Sequence, residues 1–268
     1  MQMTASVLIK TAAHGQGSFL QQVYAEPPFK VADITETRNQ RQVQLMLMSS
    51  SPGVLDEDCY NIKIELGQNS ALQLTTQSYQ RLFNMKKGAV QNMEVHMANN
   101  SSLVYLPHPV VPHESSVFRA SNKLFLTGSC HVTWAEILTC GRKLSGERFL
   151  FSFYHAVTEI FLNNKLVLKE NLKMAPGKIA TDTIGQMEGF THQASLICLS
   201  PLPAINKKKE ALLDYLSMQK DILAGVTAAP VNGLIVRMLG NGGEQLFECV
   251  KQMAALINST KSEAHTIK

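Results

Sequence analysis

Charge is scarce in this sequence. Asp, Glu, Lys and Arg make up 17% of its 268 residues, against 45% hydrophobic residues. That scarcity excludes a disordered tail and a coiled coil, both of which rely on charged side chains. Lys and Arg number 25 and Asp and Glu 21, a net of +4, and the longest basic run is Lys207-Lys208-Lys209. No basic face exists for a dedicated nucleic-acid binder. Long apolar runs are missing too, since none approaches the roughly 18 residues of a membrane span. Residues Met1 to Lys10 lack the basic start and apolar core of a secretory signal. The five cysteines, Cys59, Cys130, Cys140, Cys198 and Cys249, are odd in number, scattered and without a Cys-x-x-Cys pair. This is the pattern of reduced thiols in a cytosolic chain. The Asn-x-Ser/Thr triplets at Asn100 and Asn258 are then chance, and the expectation is a soluble, cytoplasmic protein.

Catalytic signatures are also absent. Gly141-Arg142-Lys143-Leu144-Ser145-Gly146 has the glycine spacing of a phosphate loop, but Glu147-Arg148 stands where Lys-Ser/Thr is required. A carboxylate there repels phosphate, so no nucleotide site is expected. Gly15-Gln16-Gly17 lacks the third glycine of a dinucleotide loop, and His113-Glu114 lacks a second histidine at zincin spacing. No nucleophile elbow frames a serine or cysteine. A hydrolytic triad assembled from distant residues stays open as a minor alternative.

What the sequence does have is alternation. Val43, Leu45 and Leu47 recur with a period of two, as do Ile62, Ile64 and Leu66, and Phe149, Phe151 and Phe153. That period marks half-buried strands. Ile160–Leu162 and Leu166–Leu168 flank Asn163-Asn164, a pair that tolerates positive φ and suits a two-residue hairpin turn. From residue 206 the period becomes helical. Leu212, Leu213, Leu216, Met218 and Leu223 mark a first helix, with Lys220 in its closing turn and Gly225 as its stop. A strand over Leu234–Leu239 follows, then a second helix with Leu246, Val250, Met253 and Ile257 on one stripe.

A weak repeat lies inside the β part. Residues 66–74, 97–105 and 126–134 each pair an apolar residue and a small polar turn with an alternating strand. The steps are 31 residues from Ser70 to Ser101 and 29 from Ser101 to Cys130. Such periods mark stacked units that bury their faces against one another. The expected fold is mainly β. Residues 1–205 form a stacked-sheet body of β-helix or solenoid type, and residues 206–268 form a helix–strand–helix segment packed on the same domain. Three ordinary hairpins in a sandwich remain the alternative.

Residues of metal-binding type are present without a decisive spacing. His108 and His113 flank a proline-rich stretch, and Cys130-His131 lies ten residues before Cys140. Imidazole and thiolate suit nickel, zinc or copper. Loop histidines five apart share no fixed face, however, and buried reduced cysteines are common. The densest acidic group, Asp56-Glu57-Asp58, reads as solvated surface or as a transient ligand set.

Several short stretches, taken in order, resemble the urease accessory protein family UreD, called UreH in some bacteria. They are Pro27-Pro28-Phe29-Lys30, Pro52-Gly53-Val54-Leu55 with Asp58, Leu74-Thr75-Thr76-Gln77-Ser78 and Leu103-Val104-Tyr105-Leu106-Pro107. Trp134-Ala135-Glu136-Ile137, Gly141-Arg142, Gly146-Glu147-Arg148-Phe149 and Gly233-Leu234-Ile235-Val236-Arg237 continue the series. The resemblance implies a β-helical scaffold and not an enzyme. It implies binding to apo-urease subunits and to a helical UreF-type partner, which recruits a UreG-type GTPase. The assembly would deliver nickel and carbon dioxide to the urease active site. Two departures stand out. Glu57 replaces the glycine of the family's Gly-Asp, and a β-carbon there disfavours positive φ, so a different turn is expected. His108 and His113 stand where the family has other residues, so they inherit no role.

The reading is therefore a non-catalytic urease maturation chaperone with no tightly bound cofactor, past which nickel moves transiently. A stand-alone His/Cys metal carrier is the second reading. Release of nickel favours carboxylates over clustered thiolates. Asp58 is the first candidate for the nickel path, followed by Glu136 and Glu147, each of which could instead pair with Arg142 or Arg148. Asp58→Ala is expected to spare the complex and lower urease activation. His108, His113, Cys130 and His131 are weaker candidates. With 12 methionines and little charge, the chain is expected to behave poorly without its partner.

Overall fold

The structure is a computed structural model that describes residues 3–36 and 41–258. Strands β1 (Thr4–His14), β2 (Gly17–Ala25), β3 (Phe29–Asp33), β4 (Val43–Ser49), β5 (Cys59–Leu66) and β6 (Ala71–Thr76) come first. Next are β7 (Gln80–Leu82), β8 (Ala89–Met97), β9 (Ser102–Leu106), β10 (Val110–Pro112), β11 (Val117–Leu126) and β12 (His131–Thr139). Then follow β13 (Phe153–Leu162), β14 (Lys165–Met174), β15 (His192–Leu199), helix α1 (Lys208–Ser217), β16 (Leu223–Ala228), β17 (Gly233–Gly240) and helix α2 (Gly243–Asn258).

Two sheets face each other. One has the order β14-β13-β11-β8-β5-β1-β2, the other β16-β17-β15-β12-β9-β6-β4-β3. From β4 to β13 the chain passes back and forth between them, so β5, β8, β11 and β13 stack parallel in one and β4, β6, β9 and β12 in the other. The repeat sets this register. Ile62 pairs with Met93 and Leu72 with Leu103, both 31 residues apart, while Leu103 pairs with Val132 after 29. The repeat turns stack as well: Asn69 and Asn100 both have positive φ, and the Asn100 amide donates to Asn69 Oδ1 at 3.1 Å.

Alternation fills the space between the sheets. Ile9, Ile64, Val95, Leu124 and Ile160 form one cross-strand row, each fully buried. Leu45, Leu74, Tyr105, Trp134, Ile197 and Ile235 form the row opposite. Each such side chain contributes about 1.5–3 kcal/mol through its removal from water. On the outer face of the second sheet, Leu212, Leu216, Leu246, Val250 and Met253 of the helices pack on Ala135, Ile137, Leu196 and Val236. No described helix is long and apolar enough to cross a membrane.

Some expectations need correcting. The body is mainly β with two helices near the C-terminus, but its sheets are not closed or solenoidal. Antiparallel strands end the parallel runs: β2 and β14 at the edges of one sheet, β3 and β15–β17–β16 in the other. The first helix stops at Ser217, and Leu223 and Gly225 lie in β16, so two strands and not one separate the helices. Their six-residue apolar stretch pairs with β17 instead of extending the helix. Phe149 and Phe151 precede β13, Phe149 at φ 56°, so only Phe153 of that trio lies in a strand. Part of the 206–268 segment, residues 259–268, lies outside the described residues. The Asn163-Asn164 turn joins β13 to β14 with φ values of 49° and 65°, as expected. Glu57 adopts φ 68° despite its β-carbon, its carboxylate held 2.8 Å from Lys87 Nζ.

Candidate functional site

An apolar row of the first sheet turns polar opposite a polar row of the second, and there the sheets enclose a carboxyl group. In the first sheet the row Val7, Ile62, Met93 continues as Asn122, Thr158 and Glu170. In the second, Glu136 on β12 is followed by Ser195, Arg237 and Gly225. The rows meet face to face. Asn122 Nδ2 donates to Glu136 Oε1 at 3.1 Å, Trp134 Nε1 donates at 2.9 Å, and the Thr158 hydroxyl donates to the same oxygen. Three donors on Oε1 leave Oε2 without a protein donor among the described residues.

Glu136 lines two cavities. One, of about 150 Å³, reaches past Tyr105, Asn122 and Trp134 to His108. The other, of about 630 Å³, opens between β14 and β16–β17 and includes Glu170, Ser195 and Arg237. Glu136, Ile137 and Tyr154 belong to both. Burial, and then the charge of Glu136, push the Tyr105 and Tyr154 phenols well above their ordinary range. Both phenols therefore stay neutral beside the Glu136 carboxyl. Such a site suits a cation held by one carboxylate oxygen and neutral ligands.

The other candidates are dispersed. Asp58 is 3% exposed, and its Oδ2 accepts from the Leu55 backbone at 2.8 Å and from the Tyr60 hydroxyl at 2.7 Å. It closes the turn into β5. Glu147 is 8% exposed and paired with Arg142, whose Nε and Nη2 donate to its two oxygens. That hydrogen bonding holds its carboxyl below the usual range. Arg148 points elsewhere, to the Gly189 carbonyl. The His108 ring contacts Thr76 and packs on Phe247, whereas the buried His113 packs on Phe83 with its Nε2 unpartnered among the described residues. Burial lowers both imidazole pKa values. The Cys130 thiol donates to the Met97 and Ala98 carbonyls, and Cys140 is buried.

Thus the fold does not assemble the histidines and cysteines. No group of three or more His, Cys, Asp or Glu able to hold a metal occurs among the described residues. His131 Nδ1 lies 3.1 Å from Ser200 Oγ, but no carboxylate is hydrogen-bonded to that ring among the described residues. Sequence reasoning missed Asn122, Thr158 and Ser195. The signal was present in β11 and β13, where Asn122 and Thr158 take inward positions next to Leu124 and Ile160.

Comparison with known proteins decides the family. The model of the UreD urease accessory protein family matches residues 3–267. The chain belongs to the UreD family. A UreD urease accessory protein from Flavobacterium johnsoniae is 47% identical over 237 residues, 88% of this chain and 86% of its own. Relatives of the same name from Actinobacillus pleuropneumoniae and Haemophilus influenzae are 33% and 31% identical, each over at least 94% of both chains. UreD membership supports a role in urease maturation. Gly233, in the last of the UreD-like motifs, shows why that motif opens with glycine: a β-carbon there would collide with the Cys198 carbonyl.

Proposed function

We propose that this chain is a non-catalytic urease maturation chaperone that carries nickel past Glu136. It binds apo-urease and a UreF-type helical partner, and through that partner a UreG-type GTPase. The observation that carries the nickel reading is the half-committed Glu136 carboxylate, whose Oε1 takes three donors between two cavities. One free carboxylate oxygen among neutral phenols, amides and hydroxyls holds a borderline divalent ion weakly enough to release it. Glu147 serves instead to shape its loop, because both of its oxygens accept from Arg142, and Asp58 lines neither cavity and closes the turn into β5 through Leu55 and Tyr60. Partner binding is supported by exposed apolar side chains, among them Leu144, Ile184 and Met218.

The test is activation of apo-urease at limiting nickel by the unaltered chain and by Glu136→Gln, each co-expressed with the accessory partners. The amide keeps the shape and loses the charge. Co-purification of the complex with severalfold lower activation is expected. Full activation by Glu136→Gln would remove the residue from the path, and failure to co-purify urease would sink the chaperone reading.

A further inference from the structure

The polar rows that begin at Asn122 and Glu136 end in an ion pair. Arg237 Nη2, on β17, lies 2.7 and 2.9 Å from the two oxygens of Glu170, on β14. Those strands belong to different sheets, so the pair spans the wider cavity from wall to wall. Behind it, Thr158 and Ser195 lead to Glu136. The residue beside Arg237 on the edge strand is Gly225, around whose missing β-carbon there is open space. The two partners differ in exposure: the Glu170 side chain is 18% exposed and that of Arg237 68%. Glu170 stays inside the cleft, while the guanidinium can leave for water with little change in its hydration.

We propose that Arg237 is the gate of the cleft: its guanidinium occupies Glu170 until a divalent cation takes its place and moves on to Glu136. The proposal rests on the nickel route through Glu136. Its chemistry is an exchange of counterions at one carboxylate, with no covalent step. An exposed ion pair is weak, worth at most about 1 kcal/mol in most measured cases, which suits a contact that must open. A permanent strut between the sheets would call for apolar packing, because even a desolvated ion pair seldom adds net stability. Arg237 closes the last of the UreD-like stretches, and the urease maturation reading gives it no other task.

Trp134 offers a direct test, because it is the only tryptophan in the chain and donates to Glu136 Oε1. Nickel is paramagnetic and quenches indole fluorescence on close approach. Stopped-flow mixing of the full-length chain with nickel chloride reads arrival at Glu136 without any urease. Arg237→Gln is expected to quench about fivefold faster than the unaltered chain, the factor an exposed ion pair can hold back. Arg237→Lys, which keeps the charge but offers a compact ammonium in place of the guanidinium, is expected to fall between them, and it carries the test if Arg237→Gln does not fold. Added sodium chloride, which weakens the ion pair in the unaltered chain alone, should narrow the difference between its rate and that of Arg237→Gln. Equal rates in all three proteins overturn the gate and leave the route intact. No quenching in any of them, or quenching that survives Glu136→Gln, overturns the route and the gate with it.

Discussion

Thr158 and Glu136 meet across the gap between the two sheets, the Thr158 hydroxyl donating to Glu136 Oε1 beside the Asn122 amide. They come from neighbouring strands of the chain that lie in opposite sheets, 22 residues apart. A carboxyl group can lie in this interior because its donors replace lost water.

Removing a donor should therefore destabilise the fold. Thr158→Val preserves shape and takes away both the donation to Glu136 and the acceptor of the Asn122 amide. A loss of about 1–3 kcal/mol is expected, seen as a lower midpoint in urea unfolding. Asn122→Leu should lose at least as much, because its amide donates to both Glu136 and Thr158. An unchanged midpoint in both would show that water, and not these side chains, solvates Glu136.

Asp58 gives a contrast between shape and charge. Its Oδ2 accepts two hydrogen bonds that an asparagine oxygen can still accept, so Asp58→Asn should melt close to the unaltered protein. Asp58→Ala leaves the Tyr60 hydroxyl and the Leu55 amide without that acceptor and should lose about 1–3 kcal/mol. Thermal melting of the two variants checks this. If Asp58→Ala melts normally yet fails to activate urease, Asp58 belongs on the nickel path after all.

His192 should make stability depend on pH. Its Nδ1 lies 2.7 Å from Thr191 Oγ1, and the Thr191 hydroxyl donates to Asn241 Oδ1, so the ring is held neutral as the Nδ1–H tautomer. Burial, and then Lys143, lower its pKa to about 4. The folded state binds this proton less readily than the unfolded state. The contribution is thus fully present above the ordinary histidine pKa, near 6.5, and is lost as pH falls towards 4. The loss is on the order of 3 kcal/mol. Urea midpoints at pH 7 and pH 4.5 should converge in His192→Asn relative to the unaltered chain. Parallel pH profiles would show that another group sets the slope.

Much of this architecture was legible in the residues. The apolar alternation at Val43–Leu47 and Ile62–Leu66 marked strands, and the 31- and 29-residue steps matched the pairing of Ile62 with Met93 and Leu103 with Val132. The same spacing could not show whether the sheets close. The antiparallel edges at β2, β14, β3 and β16 depend on hairpins whose strands also pair with distant partners. Leu223 looked helical because its apolar spacing fits a period of 3.6 as well as a strand, and pairing with Leu239 chose the strand.

The candidate site divides in the same way. By itself the sequence determined that Glu136 follows Trp134 at the spacing of one strand face, that Asn122 and Thr158 interrupt apolar alternation, and that the motifs are those of the UreD family. These are local properties, set by a backbone period of two and by residue identity. Only the tertiary structure decided that Glu136 meets Asn122 and Thr158, that Asp58 answers to Tyr60, and that Arg237 reaches Glu170 from 67 residues away. Contacts between facing sheets depend on how each sheet is ordered and registered, and that order comes from the packing of all the rows together. No single stretch of residues contains it.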